Sequence, residues 1–140
     1  NNLDVFNYNL FSTKRNLPKT GIEIKIGAII YIMLLSPKIS LEFDEKISLI
    51  DFRKSDLNEL KQAILKSVSK SPQINSKDLQ QDMINKGFTI QIKKFMQSNY
   101  PSRLDLDLND INDEKVKKIF QELLDLVDIR KISFSENNQN

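Results

Sequence analysis

The most sustained hydrophobic period in the chain lies near its C-terminal end. Val116, Ile119, Phe120, Leu123, Leu124 and Val127 recur at i, i+3, i+4, i+7, i+8 and i+11, a spacing that gathers apolar side chains on one face of an α-helix. Asn112 is placed to cap that helix, and Asp113 and Glu114 put negative charge at the positive end of its dipole. A second apolar face, Leu57, Leu60, Ile64, Leu65 and Val68, predicts a helix opened by Ser55 as N-cap and stopped by Ser71-Pro72. Asp56 and Glu59 favour its start, and Lys61, Lys66 and Lys70 follow toward its end. Asn75 or Ser76 caps a third helix with Leu79, Met83 and Ile84 on its face and Gly87 just past its end. Residues 89–98 predict a short helix with Ile92, Phe95 and Met96 inward, followed by a loop that carries Pro101 and the alternating run Leu104-Asp105-Leu106-Asp107-Leu108.

The first half is less regular. Ile22, Ile24 and Ile26 alternate with charged residues in a strand-like way, but the apolar run continues to Leu35 and stops before Pro37. That length exceeds an ordinary strand and suits a helix, so a central, almost fully buried helix is predicted, with Pro37 enforcing its end. Glu42 to Phe52, with Phe43, Ile47, Ile50 and Phe52 apolar and Asp44 as a possible cap, predicts a short helix and a turn. Residues 1–20 show no sustained period and end at Pro18 and Gly21; they are expected to form a flexible tether, unless Phe6, Tyr8 and Phe11 pack onto the domain. The expected organisation is a linker over 1–20, a helical domain over 21–134 and a disordered polar tail over 135–140. The fold class is all-α, a compact bundle of five or six helices.

Composition narrows the chemistry. The chain of 140 residues has neither His nor Cys, which removes imidazole acid–base catalysis, thiol nucleophiles, disulfides and zinc sites built on either ligand. Asp105, Asp107 and Asn109 imitate the opening of a calcium-binding EF-hand loop, but Asp110 and Val116 stand where the motif needs Gly and Glu. No phosphate-cradling glycine loop and no nucleophile elbow is present. Gly27 inside the apolar helix points to close helix packing or to a hinge, and Tyr31 to a core residue. The ten-residue run from Ile26 to Leu35 is too short for a membrane span, and no signal-peptide pattern leads the chain. These observations favour a binding module over an enzyme.

Net charge is only +2, but residues 53–94 hold nine Lys and Arg against four Asp and Glu, whereas residues 105–128 hold eight acidic residues against three Lys. Such segments are either solvated faces that compensate one another in the fold or a basic surface for nucleic acid. Arg53, Lys54, Lys61, Lys93 and Lys94 are the candidates for the second reading, which requires them to converge with Phe or Tyr between them.

Three segments, taken in order, resemble a known family: Glu23 through Pro37, with an acidic start, an aliphatic helix and a Ser-Pro stop; Ile50-Asp51-Phe52 followed by Asp56 through Leu65; and Val116 through Leu126. Together they are similar to the C-terminal helicase-binding domain of the bacterial replicative DNA primase, over residues 21–131. The resemblance implies a helical domain that docks on the N-terminal domains of the hexameric replicative helicase. It implies no catalysis and no cofactor in this segment. The parent protein would synthesise RNA primers on single-stranded DNA as a DNA-directed RNA polymerase, use zinc and magnesium, and work in the cytoplasm at the replisome. The family's domain closes on a helical hairpin that supplies much of the helicase contact. Here few residues follow the helix that starts near Asp113, so a reduced hairpin and a missing one are both open. The expected partner-facing positions are therefore Asp128, Arg130, Lys131 and Ile132, with a frayed helix end as the plain alternative. Two further readings stand beside this one: the N-terminal domain of the replicative helicase itself, and a Lys-rich helical module that binds single-stranded DNA.

Overall fold

A computed structural model describes residues 21–104 and 112–131, and among them the secondary structure is helical, without strands. The expectations for residues 1–20, for the loop carrying Asp105, Asp107 and Asn109, for Ile132 and for the tail lie outside the described residues. The chain forms an all-α bundle. Its helices are α1 (Gly21–Leu35), α2 (Pro37–Glu42), α3 (Asp44–Ser48), α4 (Ser55–Lys70), α5 (Ser76–Asn85), α6 (Thr89–Met96), α7 (Tyr100–Arg103) and α8 (Asp113–Val127).

α1 is the axis of the bundle. Every residue from Ile26 to Leu34 is buried, because α8, α2, α6, α5 and α4 all pack around it. A helix apolar around its whole circumference belongs inside a core. Its many isoleucines are mediocre helix formers, each up to about 0.7 kcal/mol worse than Ala. Burial of an Ile side chain stabilises by roughly 1.5–3 kcal/mol, so packing outweighs propensity. Gly27 serves close approach: a Cβ there would lie 1.8 Å from the Tyr100 hydroxyl oxygen. The Tyr100 ring in turn packs against that of Tyr31, centroids 5.8 Å apart.

The end of α1 is buried, so its last carbonyls need partners. The Ser40 hydroxyl donates to Met33 O at 2.8 Å, and the Ser76 hydroxyl donates to Leu34 O at 2.6 Å. Ser36 N donates to Ile32 O at 2.8 Å. Pro37 ends α1 as predicted and also starts α2, where its fixed φ and missing N–H suit a first helical position.

The amphipathic helices follow the sequence periods. Asn75 caps α5 by accepting from Asp78 N at 2.8 Å. Gly87, at φ 99°, closes that helix through Gly87 N to Ile84 O and Phe88 N to Met83 O, both 3.0 Å, the paired bonds of a Schellman motif. Asn112 Oδ1 accepts from Glu114 N and Lys115 N at the start of α8. Val116, Phe120, Leu123, Leu124 and Val127 are buried there, and Ile119 is half-buried.

Three local expectations are corrected. Ser55 is not the N-cap of α4: Lys54 occupies that position in extended conformation and makes no side-chain cap. The turn before α4 is organised by Asp51 and Asn58 instead. Asp51 Oδ1 accepts from Arg53 N and from Asn58 Nδ2, both at 2.9 Å, while Asn58 Oδ1 accepts from Phe52 N at 2.9 Å. This network holds Arg53 at φ 72°, in the left-handed region. The short helix and turn expected over Glu42–Phe52 are α3 and the residues that follow it. α2 precedes them as a further helix, and the two helices break at Phe43 as its ring turns onto Phe120, centroids 5.6 Å apart. Asp44 is the first residue of α3 rather than its cap, which is Phe43. The loop expected around Pro101 contains the single helical turn α7, with Pro101 in its first turn.

Candidate partner-docking surface

α8 ends at Val127 because Asp128 leaves helical geometry, at ψ 107°. Its carboxylate then serves the next turn: Asp128 Oδ1 accepts from Arg130 N at 3.0 Å, and residues 129–131 are helical again. Arg130 closes a fork on the same carboxylate, Nε to Oδ1 at 3.1 Å and Nη2 to Oδ2 at 2.9 Å. These hydrogen bonds hold the Asp128 carboxyl below the usual carboxylate range. Asp128 is 3% exposed, so the expectation that it faces a partner is corrected. It turns inward and positions Arg130, which stays exposed. Lys131 is exposed as well. The end of α8 is therefore a capped turn and not a frayed one over the described residues.

Asp125 gathers the surroundings of this turn. Its Oδ1 receives Lys131 Nζ at 2.6 Å and Lys46 Nζ at 3.4 Å. The Lys131 hydrogen bond is the main reason that its carboxyl lies below the usual range, with both ammonium charges acting in the same direction. Through Lys46, α3 is tied to the end of α8. Leu49 at the end of α3 and Leu126 and Ile129 around the end of α8 are exposed large aliphatics, at 63%, 53% and 47%. Further along, Lys117 Nζ meets Glu42 Oε1 at 3.0 Å and joins α2 to the middle of α8. One end of the molecule thus presents aliphatic side chains among fixed charges, a composition suited to a protein partner. Sequence reasoning singled out Arg130 and Lys131, which are exposed, but not Leu49, Leu126 and Ile129, which break no period and carry no motif.

The basic candidates separate. Lys61 is not available to nucleic acid: it is 3% exposed, and its Nζ donates to Ile50 O at 2.5 Å and lies 5.1 Å from the centroid of the Phe52 ring. Arg53 and Lys54 sit before α4, whereas Lys93 and Lys94 are exposed on α6, and α4 and α6 share no extensive interface. Phe52 and Phe95 are buried, so neither offers a face to a base. The zinc and magnesium implied for a parent primase find no ligand set here, since no three acidic side chains gather into a metal site among the described residues. None of the described helices is long and apolar enough to cross a membrane. No protein-family model, curated protein or solved structure matches the chain.

Proposed function

We propose that this chain is a helicase-docking module of a bacterial DNA primase, which brings RNA primer synthesis on single-stranded DNA to the replication fork by binding the replicative hexameric helicase. The motif order described above supports the family. The observation that carries the docking role is the built end of α8, where exposed Leu126 and Ile129 stand beside Arg130, itself held outward by the nearly buried Asp128. A rigid aliphatic patch flanked by preorganised charge loses little side-chain entropy on association. The module does no chemistry in this reading; it supplies address and proximity, and a parent chain supplies catalysis.

Calorimetric titration with the N-terminal domain of the cognate helicase tests this. Wild-type chain binds, and R130E/K131E and L126D/I129D each weaken binding at least about tenfold, roughly 1.4 kcal/mol. Both pairs are exposed, but R130E also unpairs the nearly buried Asp128 carboxylate. Circular dichroism therefore checks that the helices persist, and L126D/I129D tests the surface without that change. Asp128→Asn acts indirectly, by loosening Arg130, and weakens binding less than R130E/K131E. Full affinity in both double variants refutes the docking surface, and no binding by the wild-type chain refutes the helicase as partner.

A further inference from the structure

The acidic and basic segments do not neutralise each other among the described residues. The acid of α8 is met by Lys46 of α3 and by Lys131 and Arg130 at its own end, while its Lys117 reaches Glu42. Lys66 and Lys70 of α4 form no ion pair among the described residues, and both are exposed. They stand at i and i+4, on one face of the helix. That face is one wall of a groove of about 470 Å3, lined by Lys66, Ser67, Lys70, Ser71, Ile74, Asp82 and Lys86. The opposite wall, from α5, is held in place: Asp82 Oδ2 accepts from Ser67 Oγ at 2.5 Å and from Lys86 Nζ at 2.9 Å. Asp82 is thereby occupied as an acceptor, and it anchors Lys86 at the groove.

We propose that this groove between α4 and α5 binds a phosphate ester, carried by a single-stranded nucleic acid or by a free nucleotide. The groove lies within the size of small-ligand sites, about 300–1,000 Å3. Three ammonium groups face one carboxylate that is already paired. The negative end of the α4 dipole opposes an anion, but it amounts to about half a charge, against the ammonium groups of Lys66 and Lys70. Neither forms an ion pair among the described residues, although the Lys70 charge also acts on Asp82. Ser71 adds an exposed hydroxyl at the rim. The site involves none of the residues at the end of α8, so it stands or falls independently of the helicase reading.

The test is fluorescence anisotropy of a labelled oligothymidylate with the whole 140-residue chain, at about 50 and 200 mM salt. Amide shifts are mapped by NMR in parallel with the oligonucleotide and with thymidine diphosphate. Binding with a log–log salt slope near about −1.4 indicates two phosphate contacts on a single strand. Affinity falls at least about tenfold in K66E/K70E but not in K93E/K94E, with shifts centred on Ser67, Lys70 and Ser71. Shifts at these residues with thymidine diphosphate assign a free nucleotide as ligand; shifts with the oligonucleotide alone assign the strand backbone. Absence of both, or binding that survives K66E/K70E and is lost in K93E/K94E, overturns the proposal. Circular dichroism confirms that the charge reversals leave the helices intact.

Discussion

Lys61 occupies a position in α4 where its neighbours in sequence would allow a solvated charge, yet its ammonium is drawn under the chain onto the Ile50 carbonyl and the Phe52 ring. Desolvation lowers its pKa, and the nearby Asp51 charge opposes that only in part. Between the lowered folded value and the ordinary value near about 10.4, the unfolded chain holds more protons. Stability therefore rises with pH in that alkaline window, as the cost of burying the charge disappears. Lys61→Ala is expected to destabilise by about 2 kcal/mol, from lost packing of the aliphatic stem and an unpaired Ile50 carbonyl. Urea midpoints of the two proteins give the value; an unchanged midpoint would mean that water replaces the ammonium at no cost. Nothing in the sequence marks Lys61 apart from Lys66 and Lys70 on the same helix. Its burial depends on a turn that arrives from residues 50–53, so only the packed chain distinguishes it.

Among the helices, α1 was legible in length and burial but not in its terminations. Pro37 announced the stop, whereas the partners of the buried terminal carbonyls came from Ser40 and from the distant Ser76. Serine is common in this chain, and a hydroxyl carries no sign of the carbonyl it will meet. The same holds for Gly27, whose role depends on a tyrosine 73 residues later in the chain. Gly27→Ala gains about 1 kcal/mol in helix propensity but drives a methyl into the Tyr100 hydroxyl, and overpacking costs about 1–3 kcal/mol. A net loss is expected. In the background of Tyr100→Leu, the penalty of Gly27→Ala shrinks or reverses, because the obstructing group is gone. A thermodynamic cycle over these variants measures the coupling; additive effects would rule out the contact as the cause.

For the molecule as a whole, charge ties the periphery together. Asp82, Asp125 and Asp128 bridge separate elements or cap a turn, and hydrogen bonds from Ser67, Lys131 and Arg130 respectively are the main causes that lower their pKa values. A carboxylate lowered in the fold contributes stability that is present above its unfolded value, near about 3.9, and lost as pH falls through the folded value. Denaturant midpoints should thus stay level from neutral pH down to about 4 and decline below it. Ser67→Ala should move the Asp82 carboxyl titration upward, as read by NMR; no movement would deny the hydroxyl its role. The distribution of charge was visible as two segments of opposite sign, but which charges pair was not: among the described residues the ion pairs of α8 go to Lys46, Glu42 and its own end.

The sequence pattern by itself determined the class of fold, the central buried helix, the faces of α4, α5 and α8, and the caps at Gly87 and Asn112, while it left the cap of α5 between Asn75 and Ser76. Each of these depends on residues within a few turns of one another, so spacing suffices to reveal it. The broken helix at Phe43, the capped turn at Asp128, the burial of Lys61 and the groove of α4 and α5 depend on contacts between elements. Their residues are ordinary in sequence, and their roles arise from which neighbours the packed chain brings against them.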